Sequence, residues 1–189
     1  GRTYGLIGTG RIGLCAARIA KGFGCTIIAY DPFPNDAAAK DIGFSYVPFE
    51  DLLEKANIIS LHLPLSAQTH HLINEAAIAR MKPGALLINT SRGGLVDTAA
   101  LIDALKSGQI GGVGLDVYEM EEGVFFHDLS SQQLQDDVLA RLMTFPNVLI
   151  TSHQGFLTRE ALANIAETTL SNATAFERGE PLKNEVKAG

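Results

Sequence analysis

The most constraining stretch of this chain is its first twenty residues. An apolar run, Tyr4 to Ile7, breaks into Gly8-Thr9-Gly10-Arg11-Ile12-Gly13, and an Ala-rich segment from Ile12 to Lys21 follows. Strand, three spaced glycines and helix in that order form a compact device. The first glycine allows a tight turn and the second lets a ligand approach the backbone. The third lets the helix pack close to the strand. The helix start then offers unpaired N–H groups and a partial positive charge, which suits a pyrophosphate.

A second apolar run, Cys25 to Tyr30, ends at Asp31, eighteen residues beyond Gly13. A carboxylate there can accept hydrogen bonds from both hydroxyls of an adenine ribose, and it repels a 2′-phosphate. The expected cofactor is therefore NAD rather than NADP.

The remainder repeats the strand-and-helix alternation. Asn57 to Leu63, Ala85 to Thr90, Gly112 to Val117 and Val148 to Thr151 read as buried strands, and Phe44 to Val47 as a weaker one. Several are apolar at nearly every position, as parallel strands covered on both faces should be. Asn74 and Asp97 are expected helix caps, and Gly108 closes the helix that runs through Lys106. The fold class is α/β, a doubly wound parallel sheet of the Rossmann type.

The end of the chain differs. From Thr158, a cap, to about Arg178, the positions Leu162, Ala166, Leu170, Ala173 and Phe176 form one helical stripe. The expected division is a nucleotide-binding domain over 1–156 and a helix and tail over 157–189. That helix either packs on its own sheet or crosses to a second domain.

Composition excludes several classes. Fifteen Lys and Arg stand against twenty-one Asp and Glu, a net charge of −6, which does not suit nucleic acid. The apolar runs fall far short of the ~20 residues that span a bilayer. Cys15 and Cys25 lack CxxC spacing and are expected to be buried, reduced and cytoplasmic. The chain starts at Gly1 rather than Met with a strand almost at once, so either a segment has been removed or the chain is a fragment, and an upstream targeting segment stays open.

Polar residues gather where the strands end, the ligand side of such a sheet. His62-Leu63-Pro64, Thr90-Ser91-Arg92-Gly93-Gly94, Asp116 and Ser152-His153-Gln154-Gly155 all fall there. Arg92 can clamp a carboxylate with two parallel hydrogen bonds and polarise the neighbouring carbonyl. His153 suits proton transfer near neutral pH. Glu121, five residues beyond Asp116, can hold the tautomer of that histidine. His62, His70, His71 and His127 show no metal-ligand spacing, so no metal is expected.

Together, Gly8 to Gly13, Asp31-Pro32, Asn89-Thr90-Ser91-Arg92-Gly93, Leu115-Asp116-Val117-Tyr118-Glu119 with Glu121, and His153 resemble the D-2-hydroxyacid dehydrogenase family. The likeness runs over essentially the whole chain. Most members carry a proline directly after the catalytic glutamate. Here Glu122-Gly123 follows, then Val124-Phe125-Phe126-His127-Asp128, a stretch similar to the fermentative D-lactate dehydrogenases of bacteria. The resemblance implies that Arg92 binds the substrate carboxylate, and that Glu121 pairs with a catalytic His153. It implies cofactor contacts at Gly8, Thr9, Gly10, Arg11, Ile12, Gly13, Asp31, Leu63, Pro64, Thr69, Thr90, Ser91, Arg92, Asp116 and His153.

The implied activity is reduction of pyruvate to D-lactate by NADH. Another 2-keto acid, such as a glycerate precursor or a bulkier acid, is the alternative, and a non-catalytic NAD-sensing protein is the reading from a different class. The family builds its substrate domain from an N-terminal segment and the C-terminal tail, which makes this chain the cofactor portion, with its last helix crossing over. Assembly through this domain, as a homo-oligomer in the cytoplasm without nucleic acid or membrane, is also implied.

Overall fold

The structure is a computed structural model that describes residues 1–126 and 133–186. Seven strands form one sheet: β1 (Thr3–Ile7), β2 (Thr26–Tyr30), β3 (Ser45–Tyr46), β4 (Ile58–Leu61), β5 (Ala85–Asn89), β6 (Ile110–Leu115) and β7 (Val148–Ile150). Their order is β3-β2-β1-β4-β5-β6-β7, and every pairing is parallel. The helices are α1 (Arg11–Gly22), α2 (Asp36–Ile42), α3 (Phe49–Lys55), α4 (Glu75–Arg80), α5 (Thr98–Ser107), α6 (Asp137–Met143) and α7 (Arg159–Glu177). The expected doubly wound architecture is present.

The chain divides into two compact units, Gly1–His153 and Gln154–Gly189. In the first, the core lies on both faces of the sheet. Leu6 joins one apolar cluster and its neighbour Ile7 the other, because successive strand side chains point opposite ways. The smaller cluster adds Ala17 and Ala20 of α1, with Ala39 and Ile42 of α2. The larger one gathers Ile59, Leu61 and Leu87 with residues of α3 to α6. Ile59, Leu61 and Leu87 are fully buried, so truncating any of them to Ala costs about 2–5 kcal/mol.

The caps form as the sequence suggests. Asn74 accepts from the Ala77 amide and Asp97 from the Ala100 amide, while Gly108 closes α5 at φ 77°. Two expectations need correction. β6 starts at Ile110, two residues earlier than expected, and ends at Leu115. Gly111 lies so close to Gly84 that a Cβ would sit 2.4 Å from its carbonyl oxygen, so only glycine continues the strand there. Cys15 is exposed rather than buried. The buried stripe of α1 is Gly13, Ala17 and Ala20, and Cys15 falls off it. Cys25 is half-buried beside the smaller cluster.

In the second unit, Thr158 caps α7 by accepting from the Ala161 amide at 3.1 Å. The helix has nineteen residues, a rod of about 28 Å. None of its residues is buried, and Leu162, Leu170 and Phe176 of the expected stripe are exposed. Among the described residues, no helix is long and apolar enough to cross a membrane.

Candidate functional site

The chain leaves β1 toward β2 on one side and returns to β4 on the other, so a crevice opens at the carboxyl ends of β1 and β4. Gly8 forms its floor. It takes φ 94°, and a Cβ there would lie 2.6 Å from the His62 carbonyl oxygen, so the two strand ends touch through glycine. Gly13 packs so closely that a Cβ would lie 2.2 Å from the Gly8 carbonyl oxygen. Gly10 differs from both, since a Cβ there would meet nothing within 4 Å.

A cavity of about 620 Å³ fills this crevice, lined by Gly8, Gly10, Asp31, Phe33, His62, Leu63, Pro64 and Thr69 among others. Gly10 caps α1 without any side-chain hydrogen bond, so among the described residues no side chain caps the first amides of this twelve-residue helix. The donor set thus matches a pyrophosphate: bare helix amides, an open glycine and a positive dipole end.

Asp31 ends β2 inside this cavity. Its Oδ2 accepts from the Thr9 amide at 2.7 Å and the Thr9 hydroxyl at 2.9 Å, and its Oδ1 accepts from the Phe33 amide at 2.9 Å. An ionised carboxylate has roughly four acceptor positions. One on Oδ1 remains open to a ribose hydroxyl. Thr9, for which the resemblance implied a cofactor contact, gives both its amide and its hydroxyl to Asp31. Its hydroxyl is 2.8 Å from the Tyr46 hydroxyl, and the residue is 6% exposed, so it orients Asp31 from behind.

Arg11 and Ile12 sit exposed on the first turn of α1, with Ile12 at 72%. Thr69 braces the far wall by donating to the Pro64 carbonyl at 2.8 Å. His62, assigned no role from sequence, lines the cavity and pairs through Nε2 with the Ser60 hydroxyl at 2.8 Å. Burial pushes its pKa below the ordinary histidine value, which keeps the ring neutral.

The remaining residues gather beyond β5, β6 and β7, which are neighbours in the sheet. Asn89 shapes the turn after β5. Its amide donates to the Arg92 carbonyl at 2.8 Å and its oxygen accepts from the Ser91 amide at 3.0 Å. The Ser91 hydroxyl ties this turn to the Leu63 carbonyl at 2.6 Å, and Thr90 beside it is exposed. Arg92 is exposed, with one guanidinium bond, to the Ser91 carbonyl at 2.7 Å, among the described residues. Sequence reasoning gave Asn89 no separate role. Its signal was a lone polar residue ending an apolar strand, and it is 1% exposed.

Asp116 follows β6, with its amide on the Asn89 carbonyl at 3.0 Å and its carboxylate taking the Thr151 hydroxyl. Its carbonyl accepts the His153 amide. Ser152 and His153 both adopt left-handed backbone, φ 54° and 55°, at the end of β7. Such strain needs a surrounding structure that enforces it, and it clusters at functional sites.

The turn aims the His153 ring at Glu121, with Nδ1 2.9 Å from Oε1. Glu121 Oε2 accepts from the Tyr118 amide at 3.0 Å, which fixes the carboxylate. The Glu121 side chain is 14% exposed and that of His153 30%, so the pair is sheltered on one side and open on the other. The Phe126 ring lies 5.7 Å from the His153 ring. The Tyr118 hydroxyl donates to Asp136 at 3.1 Å, and Asp136 also caps α6, which anchors the loop behind Glu121. Burial and that carboxylate push the Tyr118 phenol up, so it stays a donor. His127 and Asp128 of the inserted stretch lie outside the described residues.

A sequence profile for the D-isomer specific 2-hydroxyacid dehydrogenase NAD-binding domain matches residues 1–155. The chain belongs to this family. This NAD-binding domain is 53% identical over 186 residues to 2-hydroxyacid dehydrogenase A of Aspergillus oryzae, covering 98% of this chain and 53% of that protein. To the D-lactate dehydrogenase of Escherichia coli it is 50% identical over 186 residues, 98% of this chain and 56% of that one. The solved pyruvate reductase of Chlamydomonas reinhardtii superposes with a TM-score of 0.93 at 48% identity, covering 97% of this chain and 56% of that structure. The chain therefore spans about half the length of the relatives it matches.

Proposed function

We propose that the protein containing this NAD-binding domain reduces pyruvate to D-lactate, with Arg92, Glu121 and His153 as its catalytic residues. The observation that carries the reading is the 2.9 Å pair of His153 and Glu121 at the end of β7, two strands from Arg92 at the end of β5. NADH, when bound, supplies the hydride. The Gly8 to Gly13 turn with Arg11 and Ile12 holds its pyrophosphate, and Asp31 its adenine ribose. Leu63, Pro64, Thr69, Thr90, Ser91 and Asp116 line its remaining length.

Arg92 binds the substrate carboxylate and polarises the ketone, since among the described residues its guanidinium makes one bond, to the Ser91 carbonyl. His153 carries a proton on Nε2, oriented because Glu121 holds Nδ1, and delivers it to the forming alkoxide. Positioning and charge stabilisation supply most of the acceleration. The relatives named D-lactate dehydrogenase and pyruvate reductase support pyruvate as substrate. The relative from Aspergillus oryzae carries the wider name and supports a second reading, a related 2-keto acid.

The rest of the protein supplies the other wall of the cleft, and residues 157–189 belong to that side. The 189-residue chain alone then binds NADH but turns over poorly, because half the cleft must exclude water and orient substrate. The family resemblance also supports a cytoplasmic homo-oligomer assembled through this domain, and a monomer mass for the full-length protein would remove that part.

The deciding experiment follows NADH oxidation by the full-length protein with pyruvate, with a chiral assay of the product. Fast oxidation to D-lactate is the expected result. No oxidation despite intact NADH binding would overturn pyruvate in favour of another keto acid.

A further inference from the structure

Outside the His153 and Glu121 pair, a second group of titratable side chains meets in the first unit. His70, His71 and Glu119 each offer one ligand atom, and these atoms lie within 4.8 Å of one another. In an extended chain, consecutive side chains point apart. Here His71 takes left-handed backbone, φ 51°, with its amide held by the Gly94 carbonyl at 2.8 Å. The two imidazoles consequently stack on the same side, 3.9 Å between centroids at 23°. Glu119 arrives from the loop after β6, forty-eight residues along the chain, and its Oε1 lies 2.6 Å from His71 Nε2.

We propose that His70, His71 and Glu119 form a binding site for a zinc-like divalent cation. Two imidazoles and one carboxylate are ligands for zinc or another borderline first-row ion rather than for calcium or magnesium, which take oxygen shells. One outer hydrogen bond and one nearby carboxylate support these ligands. Glu119 Oε2 accepts from the buried Thr98 hydroxyl at 3.0 Å, which leaves Oε1 for the ion. His71 Nδ1 stands 4.0 Å from Asp97 Oδ2, a carboxylate placed on the side of the ring opposite the nitrogen that would bind the ion.

The cluster is accessible, with His71 32% and Glu119 26% exposed at the side chain and His70 on the surface. The ion would replace the direct contact between His71 Nε2 and Glu119 Oε1. Two ligands of a tetrahedral zinc at about 2.0–2.1 Å stand about 3.3 Å apart, so that pair opens by less than an ångström, while the exposed His70 ring turns out of the stack to aim a nitrogen at the ion. Water completes the fourth position.

Binding at this site has a route to the proposed chemistry. Glu119 is two residues from Glu121, and Gly93 packs against this same backbone, where a Cβ would lie 2.4 Å from the Glu119 nitrogen. Arg92 precedes Gly93. An ion that shifts Glu119 shifts the loop from which Glu121 projects, and turnover falls. This consequence rests on the catalytic reading above; the binding does not.

The test is calorimetric titration of the chelator-stripped chain with Zn2+, with the visible spectrum of added Co2+ reporting coordination. The expected result is one ion per chain with a tetrahedral cobalt spectrum. His70→Ala, a surface change that leaves the His71–Glu119 bond in place, should weaken binding about 10-fold or more, and Glu119→Gln similarly. Replacing Cys15 and Cys25 by Ser, or His127 by Ala, should leave it unchanged. No Zn2+ uptake, uptake unaffected by His70→Ala and Glu119→Gln, or uptake lost only in the cysteine or His127 variants would each overturn the site.

In the full-length protein, Zn2+ should lower turnover of wild type and spare His70→Ala. Binding without that difference keeps the site and removes the coupling. Intact Zn2+ binding in a protein inactive toward every keto acid would overturn the catalytic reading alone.

Discussion

Between β1 and β4, the cavity is lined by Gly8 and Gly10 of the glycine turn, by Tyr30 to Phe33 at the next strand end and by residues between His62 and Leu72. Beyond β5, β6 and β7, the charged groups come from three separate turns, and Arg92 and His153 stand sixty-one residues apart. The first region is held by glycines whose every added atom would strike backbone, apart from Gly10, which faces open space. The second is held by side-chain hydrogen bonds to loops and by left-handed backbone at Ser152 and His153. Tight packing makes a fixed cradle for a common cofactor part. A bonded loop cluster places reactive groups while leaving them open to whatever closes over them.

If the two regions divide the work in this way, binding and turnover should separate cleanly. His153→Asn in the full-length protein should lower kcat by roughly 10²–10⁴-fold. Arg92→Lys should lower kcat/KM for pyruvate by roughly 10²-fold, because lysine lacks the fork. Stopped-flow titration should find NADH affinity unmoved in both; a matching fall in NADH binding would break the division.

Within the cradle, Gly13→Ala should lose about 1–3 kcal/mol of stability along with NADH binding, since its Cβ would overlap the Gly8 carbonyl. Gly10→Ala should keep the denaturation midpoint within about 0.5 kcal/mol and still weaken NADH, because its Cβ enters only the space open to ligand. Equal destabilisation by both would remove the distinction between packing and approach glycines.

Asp31→Ser should weaken NADH by on the order of 10-fold and narrow the preference over NADPH, as one charged acceptor is lost. Competition between the two cofactors measures it, and an unchanged preference would sink the ribose assignment.

The smallest effect concerns His62. Burial lowers its folded pKa, so the unfolded chain binds the proton more readily. The resulting stabilisation is full above the unfolded value, roughly pH 6.5, and is lost as pH falls through the folded value. The slope stays below about 1.4 kcal/mol per pH unit for one group. Denaturation midpoints on either side of that pH should show it in wild type and not in His62→Gln.

Much of this was legible because it is local. The strand, glycine spacing and helix of Gly8 to Gly13, the carboxylate at Asp31, and the caps at Asn74, Asp97 and Thr158 each act within a few residues of their position. Arg92, Glu121 and His153 were found by their places at strand ends and by resemblance, since nothing in their spacing brings them together.

What stayed hidden depends on residues distant in sequence. That Thr9 serves Asp31 from behind, that Gly111 continues a strand, that Cys15 falls outside the buried stripe and that Asn89 shapes the Arg92 turn all follow from neighbours tens of residues away or from helix phase. The histidine pair shows this most sharply. His70 and His71 alone have no ligand spacing, and Glu119 joins them only because parallel crossovers carry the loop after β6 beside the turn before α4.

The sequence by itself determined the alternation, the parallel sheet and the cradle for NAD, because apolar periodicity and glycine stereochemistry are properties of contiguous residues. Only the tertiary structure decided which acid meets which histidine. A pair such as Glu121 and His153 forms at a 2.9 Å contact that exists only once strands far apart in sequence lie side by side.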